Sequence, residues 1–232
     1  MERIIRGRLA VFAALTALSA ACRATPAGYQ SASDFAAAIA GLSGVQTVDF
    51  ESVPSGTTFA SGSGTGGLTF TYAIAGQTLQ VSSTFGTTSG TNYLGLDNPD
   101  TAFYLGDSFT IDFGRSVVAA GLYLIAGNDA QPGDLELSTA SANVFNGSTP
   151  VDLVDGKAYF IGLVDAAGFD SITIIGVPSG DAFLPFSADD ITSAVAATST
   201  VPEPGAAASL LAGLGLLAIL ARRRLGVSST RP

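Results

Sequence analysis

The alternation of apolar and polar positions begins near residue 33. Ser33 and Asp34 precede Phe35, Ile39 and Leu42. Spacings of four and three put these side chains on one helical face, so a short amphipathic helix is expected. Ser33 is its expected N-cap, and Gly41 or Gly44 its stop. From residue 48 the period becomes two. Val48 and Phe50 alternate with Asp49 and Glu51, Leu68, Phe70 and Tyr72 with Thr69 and Thr71, and Phe109, Ile111 and Phe113 with Thr110 and Asp112. Leu135 and Leu137 flank Glu136, and Ile172 and Ile174 flank Thr173. Period two marks half-buried strands. Residues 117–126 are a near-continuous apolar run, expected centrally in a sheet. Clusters of Gly, Asn, Asp and Ser at 61–67, 86–91, 97–100, 127–133 and 179–181 punctuate these segments. The pattern predicts an all-β domain over 28–196, an antiparallel β-sandwich of jelly-roll form with one short N-terminal helix.

The two ends read differently. Arg3, Arg6 and Arg8 precede an apolar stretch from Leu9 to Ala21, and small residues follow. That three-part pattern predicts a secretory signal peptide over 1–27, with cleavage after Ala21, Ala24 or Ala27. Cys22 lies within it, after Leu18-Ser19-Ala20-Ala21. The leucine sits one place too far from the cysteine for the usual lipidation pattern, which makes lipidation the minor reading. At the other end a linker, 197–204, carries Val201-Pro202-Glu203-Pro204. An apolar run from Gly205 to Ala221 comes next, closed by Arg222, Arg223 and Arg224. Such a run is near the lower limit of about 17 residues for a membrane-spanning helix. The arginines place its far end in the cytoplasm and the domain on the other side of the inner membrane. Each proline pushes the residue before it to an extended conformation, leaving an accessible segment at the membrane surface.

Charge sharpens this division. The chain has 10 basic and 19 acidic residues, but eight of the bases lie in the two ends. Only Arg115 and Lys157 stand between 28 and 200, against seventeen acids, a net charge of −15. Phosphate binding needs clustered Lys or Arg, so nucleic acid is excluded as a partner of the domain. Histidine and tryptophan are absent, and the one cysteine is Cys22. Ser-His and Cys-His catalysis, zinc sites and disulfides are therefore excluded from the domain.

Calcium is the candidate cation, because the oxygen-rich domain lacks soft donors. The first and last strands of a sandwich often lie side by side. Asp49 and Glu51 could then meet Asp189 and Asp190, with a cation relieving the repulsion. The same acids also read as solvated or turn-capping side chains. Asp97, Asn98 and Asp100 form a second loop candidate, equally readable as turn chemistry. Gly62, Gly64 and Gly67 match G-x-G-x-x-G, but the following segment reads as strand, whereas a dinucleotide site needs a helix there. Asn146-Gly147-Ser148 matches a glycosylation acceptor and reads as a turn. No carboxylate pair stands out as a glycosidase couple.

Pro-Glu-Pro at 202–204, then an apolar helix, then an arginine cluster resembles the PEP-CTERM sorting signal. The resemblance implies that a membrane-embedded exosortase recognises Pro202, Glu203 and Pro204 and removes the tail, residues 205–224. Arg222, Arg223 and Arg224 are then the stop of that tail. Such proteins occur in Gram-negative bacteria that make exopolysaccharide. Residues 225–232 extend further past the arginines than such tails usually do. The domain is also similar to the jelly-roll domains found ahead of such tails, and to galactose-binding-like and carbohydrate-module sandwiches. Val48-Asp49-Phe50-Glu51, residues 90–96, Phe160-Ile161-Gly162-Leu163 and residues 186–191 carry that likeness. The resemblance implies an exported protein, anchored in the inner membrane before processing and then placed at the cell surface or in the matrix. Its expected body is non-catalytic. The alternatives are a carbohydrate-binding module acting in exopolysaccharide, with Tyr and Phe supplying the stacking, or a carboxylate-dependent hydrolase.

Overall fold

The computed structural model describes residues 25–127, 130–178 and 184–197, together with Ala212. Residues 1–24 of the expected signal peptide, Cys22 among them, lie outside the described residues. So do Pro202, Glu203, Pro204, the rest of the apolar tail and Arg222, Arg223 and Arg224. The chain divides into two compact units, Met1–Ala197 and Thr198–Pro232. Among the described residues no helix is long and apolar enough to cross a membrane.

The first unit is antiparallel β-structure with one helix. Its strands are β1 (Ala27–Tyr29), β2 (Ser43–Val48), β3 (Thr58–Phe59), β4 (Thr69–Tyr72), β5 (Leu79–Ser82), β6 (Tyr93–Leu96), β7 (Ser108–Ala126), β8 (Leu135–Ser138), β9 (Asn143–Phe145), β10 (Val151–Leu153), β11 (Gly156–Gly176) and β12 (Phe186–Val195). Helix α1 spans Ala32–Ile39. The main path runs β3-β5-β6-β12-β7-β11-β8-β9, with β1 and β10 on β11, β2 on β12 and β4 on β7.

Two long strands turn this one sheet into a sandwich. β7 and β11 pair from Lys157↔Ala126 to Val164↔Ala119, lose register through Phe169↔Val117, and pair again from Ser171↔Asp112 to Ile175↔Ser108. Such irregularities bend a strand pair and raise its twist. The halves on either side of the bend face each other. Leu122, Leu124, Ile161 and Leu163 from one half join Phe109, Ile111, Ile172 and Ile174 from the other in the buried core. Leu135 and Leu137 of β8 close it. The period-two segments were legible in the sequence because each has this one inner face, except 48–51, where β2 ends at Val48 and Asp49, Phe50 and Glu51 enter a turn with Phe50 at φ 60°.

The run 117–126 has two covered faces. Ala120, Leu122, Leu124 and Ala126 enter the main core. Ala119 points to the outer face, where it packs with Phe35 and Ile39 of α1, Phe160 and Ala194. The helix starts two residues earlier than the sequence suggested. Ser31 is the N-cap and accepts from the Asp34 amide, while Ser33 lies in the first turn, its hydroxyl 2.9 Å from that of Ser31.

Helix docking depends on two glycines. Gly121 and Gly162 are register partners on β7 and β11. A β-carbon on Gly162 would lie 2.8 Å from the Phe35 ring and 2.9 Å from the Phe160 ring, and one on Gly121 2.8 Å from Phe160. The absence of side chains makes the seat for the Phe35 ring. Gly162→Ala is therefore expected to destabilise the domain by about 1–3 kcal/mol, the usual cost of overpacking. Combining it with Phe35→Leu should recover part of that loss in a urea-denaturation cycle. Full additivity of the two losses would refute the seat.

Candidate functional site

The first strand, β1, pairs with β11, but the strand that leads into Asp49, β2, does pair with the last strand, β12, through Ile191↔Val48 and Thr192↔Thr47. Asp49 and Glu51 lie just past the end of β2, in a turn where Phe50 takes φ 60° and buries its ring. Their partners are largely main-chain groups. Asp49 accepts from the Glu51 amide at 3.1 Å. Oε1 of Glu51 accepts from the amides of Thr91 at 2.8 Å and Asn92 at 2.6 Å. The Asn92 side chain donates back to the carbonyls of Phe50 and Val53.

Asp189 and Asp190 grip the same loop from the other side. Neighbours on a strand normally face opposite ways. Here β12 slips register between Asp189↔Tyr123 and Thr192↔Gly121, and Asp190 takes φ 52°. Aspartate tolerates that left-handed conformation better than most residues. The bulge aims both carboxylates at Thr88. Oδ2 of Asp189 accepts from the Thr88 and Ser89 amides, both at 3.2 Å. Thr88 Oγ1 lies 2.9 Å from Oδ2 of Asp189 and 2.8 Å from Oδ2 of Asp190. A hydroxyl has one hydrogen and cannot donate to both. The two carboxylates therefore compete for one Thr88 hydrogen, a competition that neutralising Asp189 relieves. The electrostatics agree. Asp189 is fully buried, and its pKa is pushed up to about 7, first by burial and then by the charge of Asp190. Hydrogen bonds from Thr88 and from the Asp190 and Ser89 amides pull the other way.

Thus, of the candidate calcium ligands, Glu51 holds one end of the loop 87–92 and Asp189 and Asp190 the other by hydrogen bonds, while Asp49 braces the Glu51 turn. Among the described residues no three His, Cys, Asp or Glu side chains group as an ion would require. A carboxyl near neutrality is typical of acid–base groups. Asp189, however, is enclosed by the loop and has no exposed surface.

The other candidates are structural in their contacts. Asn98 closes its own turn, accepting from the Ala102 amide and donating to the Ala102 carbonyl. Gly62, Gly64 and Gly67 lead into strand β4. Asn146 is buried, and its Oδ1 accepts from the Gly133 and Leu135 amides at 3.0 Å each. A glycan on that nitrogen would have to tear out this anchor.

A cleft of about 380 Å³ opens beside the clamped loop. Its floor is Ile125 and Phe186, from the adjoining ends of β7 and β12. Phe85 forms one wall and is 44% exposed. Asp155 stands in the two-residue turn between β10 and β11, beside Val154, which is 94% exposed. Asp100, Thr101 and Tyr93 also line the cleft. Tyr93 Oη and Thr101 Oγ1 are 2.6 Å apart. Tyr104 donates to Asp100, and its pKa is pushed up to about 12, by burial first and by Asp100 second. It therefore remains a donor at any ordinary pH. In the sequence residues 86–91 read as a turn, and 97–100 as a turn or a cation loop. The cleft gathers side chains from four distant loops, and no local spacing encodes that meeting.

Comparison with known proteins bears on the C-terminal end more than on the domain. The model of the PEP-CTERM protein-sorting motif matches residues 200–224. The chain therefore carries that motif, which implies an exported protein, membrane-anchored and then processed by an exosortase-type enzyme. No curated protein matches the chain. One solved structure is the C-terminal family 22 carbohydrate binding module of Clostridium thermocellum Xyn10B, from work on conserved amino acids in its cleft in ligand binding. It aligns with a TM-score of 0.32 at 13% identity, over 68% of this chain and 96% of that one.

Proposed function

We propose that this is a bacterial envelope or matrix protein whose non-catalytic β-sandwich is the cargo and whose C-terminal tail is the address. The observation that carries this is the sorting motif at 200–224. The signal peptide exports the chain. Residues 205–221 hold it in the inner membrane, with Arg222, Arg223 and Arg224 on the cytoplasmic side. The exosortase then meets Pro202, Glu203 and Pro204 in an extended segment and removes the apolar tail beyond them. The domain goes on to the cell surface or the exopolysaccharide matrix.

Mass spectrometry of the protein from its native cells should show a C-terminus near 202–204 and an N-terminus within 22–28. Deleting the exosortase, or replacing Glu203 with alanine, should leave the full tail in place. An intact tail in wild-type cells would remove the reading. A second reading has its own support in the cleft beside Phe85: the domain binds carbohydrate in the matrix.

A further inference from the structure

We infer that the cleft lined by Phe85, Asp100 and Asp155 is a binding site for an uncharged glycan, with the Phe85 ring as stacking face and Asp100 and Asp155 as hydroxyl acceptors. This rests on the carbohydrate-binding reading and assigns it a place and a sugar chemistry.

A pyranose ring presents apolar C–H faces and an equatorial belt of hydroxyls. Its site needs a flat apolar wall and hydrogen-bond groups set around it. The cleft supplies both. Phe85 is 44% exposed in a domain whose other phenylalanines are mostly core, and it lines the opening. Phe145, at 40%, is similarly exposed but lies on the edge strand β9, away from the cleft. The Phe85 loop lies against the β10–β11 turn: a β-carbon on Gly86 would lie 3.7 Å from the amide nitrogens of Val154 and Asp155, an ordinary packing distance. Phe85 and Asp155 thus reach the cleft from neighbouring loops. Asp100 is fixed by the Tyr104 hydroxyl on one oxygen. Carboxylates accept from ligand hydroxyls with charge-assisted, short bonds. The volume, about 380 Å³, lies toward the lower end of the ~300–1,000 Å³ usual for small-molecule sites. That suits a short stretch of glycan.

Charge then selects among glycans. The described lining contains no Lys or Arg, and it holds two carboxylates within a domain of net charge −15. A uronate or sulfated sugar would meet like charge with no cation to answer it, so an acidic polymer is rejected and a neutral one accepted.

Affinity electrophoresis of the full chain in detergent, through gels carrying a neutral β-glucan, a neutral galactomannan or alginate, tests this. At least one neutral gel should retard the protein, and alginate should not. Phe85→Ala should weaken retention about tenfold, the loss of one ring's contact. Asp155→Asn should weaken it severalfold, while Phe145→Ala leaves it unchanged. Thermal melts of each variant separate lost binding from lost folding. Retention on a neutral gel that ignores both Phe85→Ala and Asp155→Asn would overturn the site and leave the carbohydrate reading standing. Passage through all three gels without retardation would overturn both. Retention on alginate alone would overturn the selection by charge.

Discussion

Phe186→Ala is expected to remove about 3–5 kcal/mol of stability, the range for truncating a large aromatic in a packed core. Phe186 is 1% exposed. Its ring stacks on Phe103 at 5.3 Å, and Phe103 stacks on Phe109 at 4.6 Å. The three rings join β12, the 98–103 loop and β7. Phe186 and Phe103 also exchange both backbone hydrogen bonds, at 2.7 and 2.8 Å. Truncation leaves that bridge in place and opens a void under it, because the surrounding strands are pinned by their ladders and cannot collapse inward. Single domains carry about 5–15 kcal/mol in all, so this one change takes a large share. Urea denaturation should show a lower midpoint at an unchanged slope. Phe186→Leu should cost less than half as much, and the exposed Phe145→Ala no more than about 0.5 kcal/mol. A Phe186→Ala midpoint close to wild type would mean that the ring stack is not a structural joint.

Legibility in the sequence depended on what each side chain does locally. Leu68, Phe70 and Tyr72, or Ile172 and Ile174, sit on strands with one buried face, and period two reports that directly. The continuous run 117–126 was recognisable as central for the opposite reason, since both of its faces are covered. Two features escaped. Segments 108–113 and 117–126 belong to one strand, but the bend between them contains Gly114, Arg115 and Ser116, which read as a break. The same holds for the two halves of β11. A bend of this kind is a property of the paired strand as well as of the bent one, so a single segment does not announce it. The pairing of β2 with β12, which brings 49–51 toward 189–190, was foreseeable from the period-two pattern at both places. The partners of the acids there were invisible. Thr88 and Ser89 lie about 100 residues away in sequence from Asp189, in a loop that carries only generic turn composition. The positive φ of Asp190, which puts two successive carboxylates on one side, has no signature in sequence either.

Those two carboxylates set the other large effect, a pH dependence that Asp189→Asn should abolish. Asp189 rises from 3.8 to about 7 in the folded protein. The folded state therefore holds a proton that the unfolded state has lost between those values. Stability from this group is full below about pH 4, declines as pH rises, and is lost above about pH 7. The linked free energy is on the order of 4 kcal/mol. The physical content is plain. Above pH 7 a second negative charge appears in an enclosed space beside Asp190, with one Thr88 hydroxyl to share between them. Asparagine stays neutral at every pH, and with its oxygen in the Oδ2 position it keeps the acceptor for the Thr88 and Ser89 amides, while its nitrogen meets the Asp190 amide at a cost that does not vary with pH. The difference in unfolding free energy between variant and wild type should thus move by several kcal/mol in the variant's favour between pH 4 and pH 8. Asp190→Asn should shift the wild-type transition to lower pH by removing the neighbouring charge. In the wild type the easiest relief from the extra charge is to lift residues 87–91 away and admit water to Asp189. Exchange of the Thr88 and Ser89 amides, corrected for intrinsic rates, should then accelerate above pH 7 in wild type and not in Asp189→Asn. Parallel pH curves for the two proteins would show that Asp189 does not hold this proton. Phe85 stands three residues before Thr88, so the same lifting would loosen the aromatic wall of the cleft, and glycan retention should weaken across the same pH interval in wild type alone.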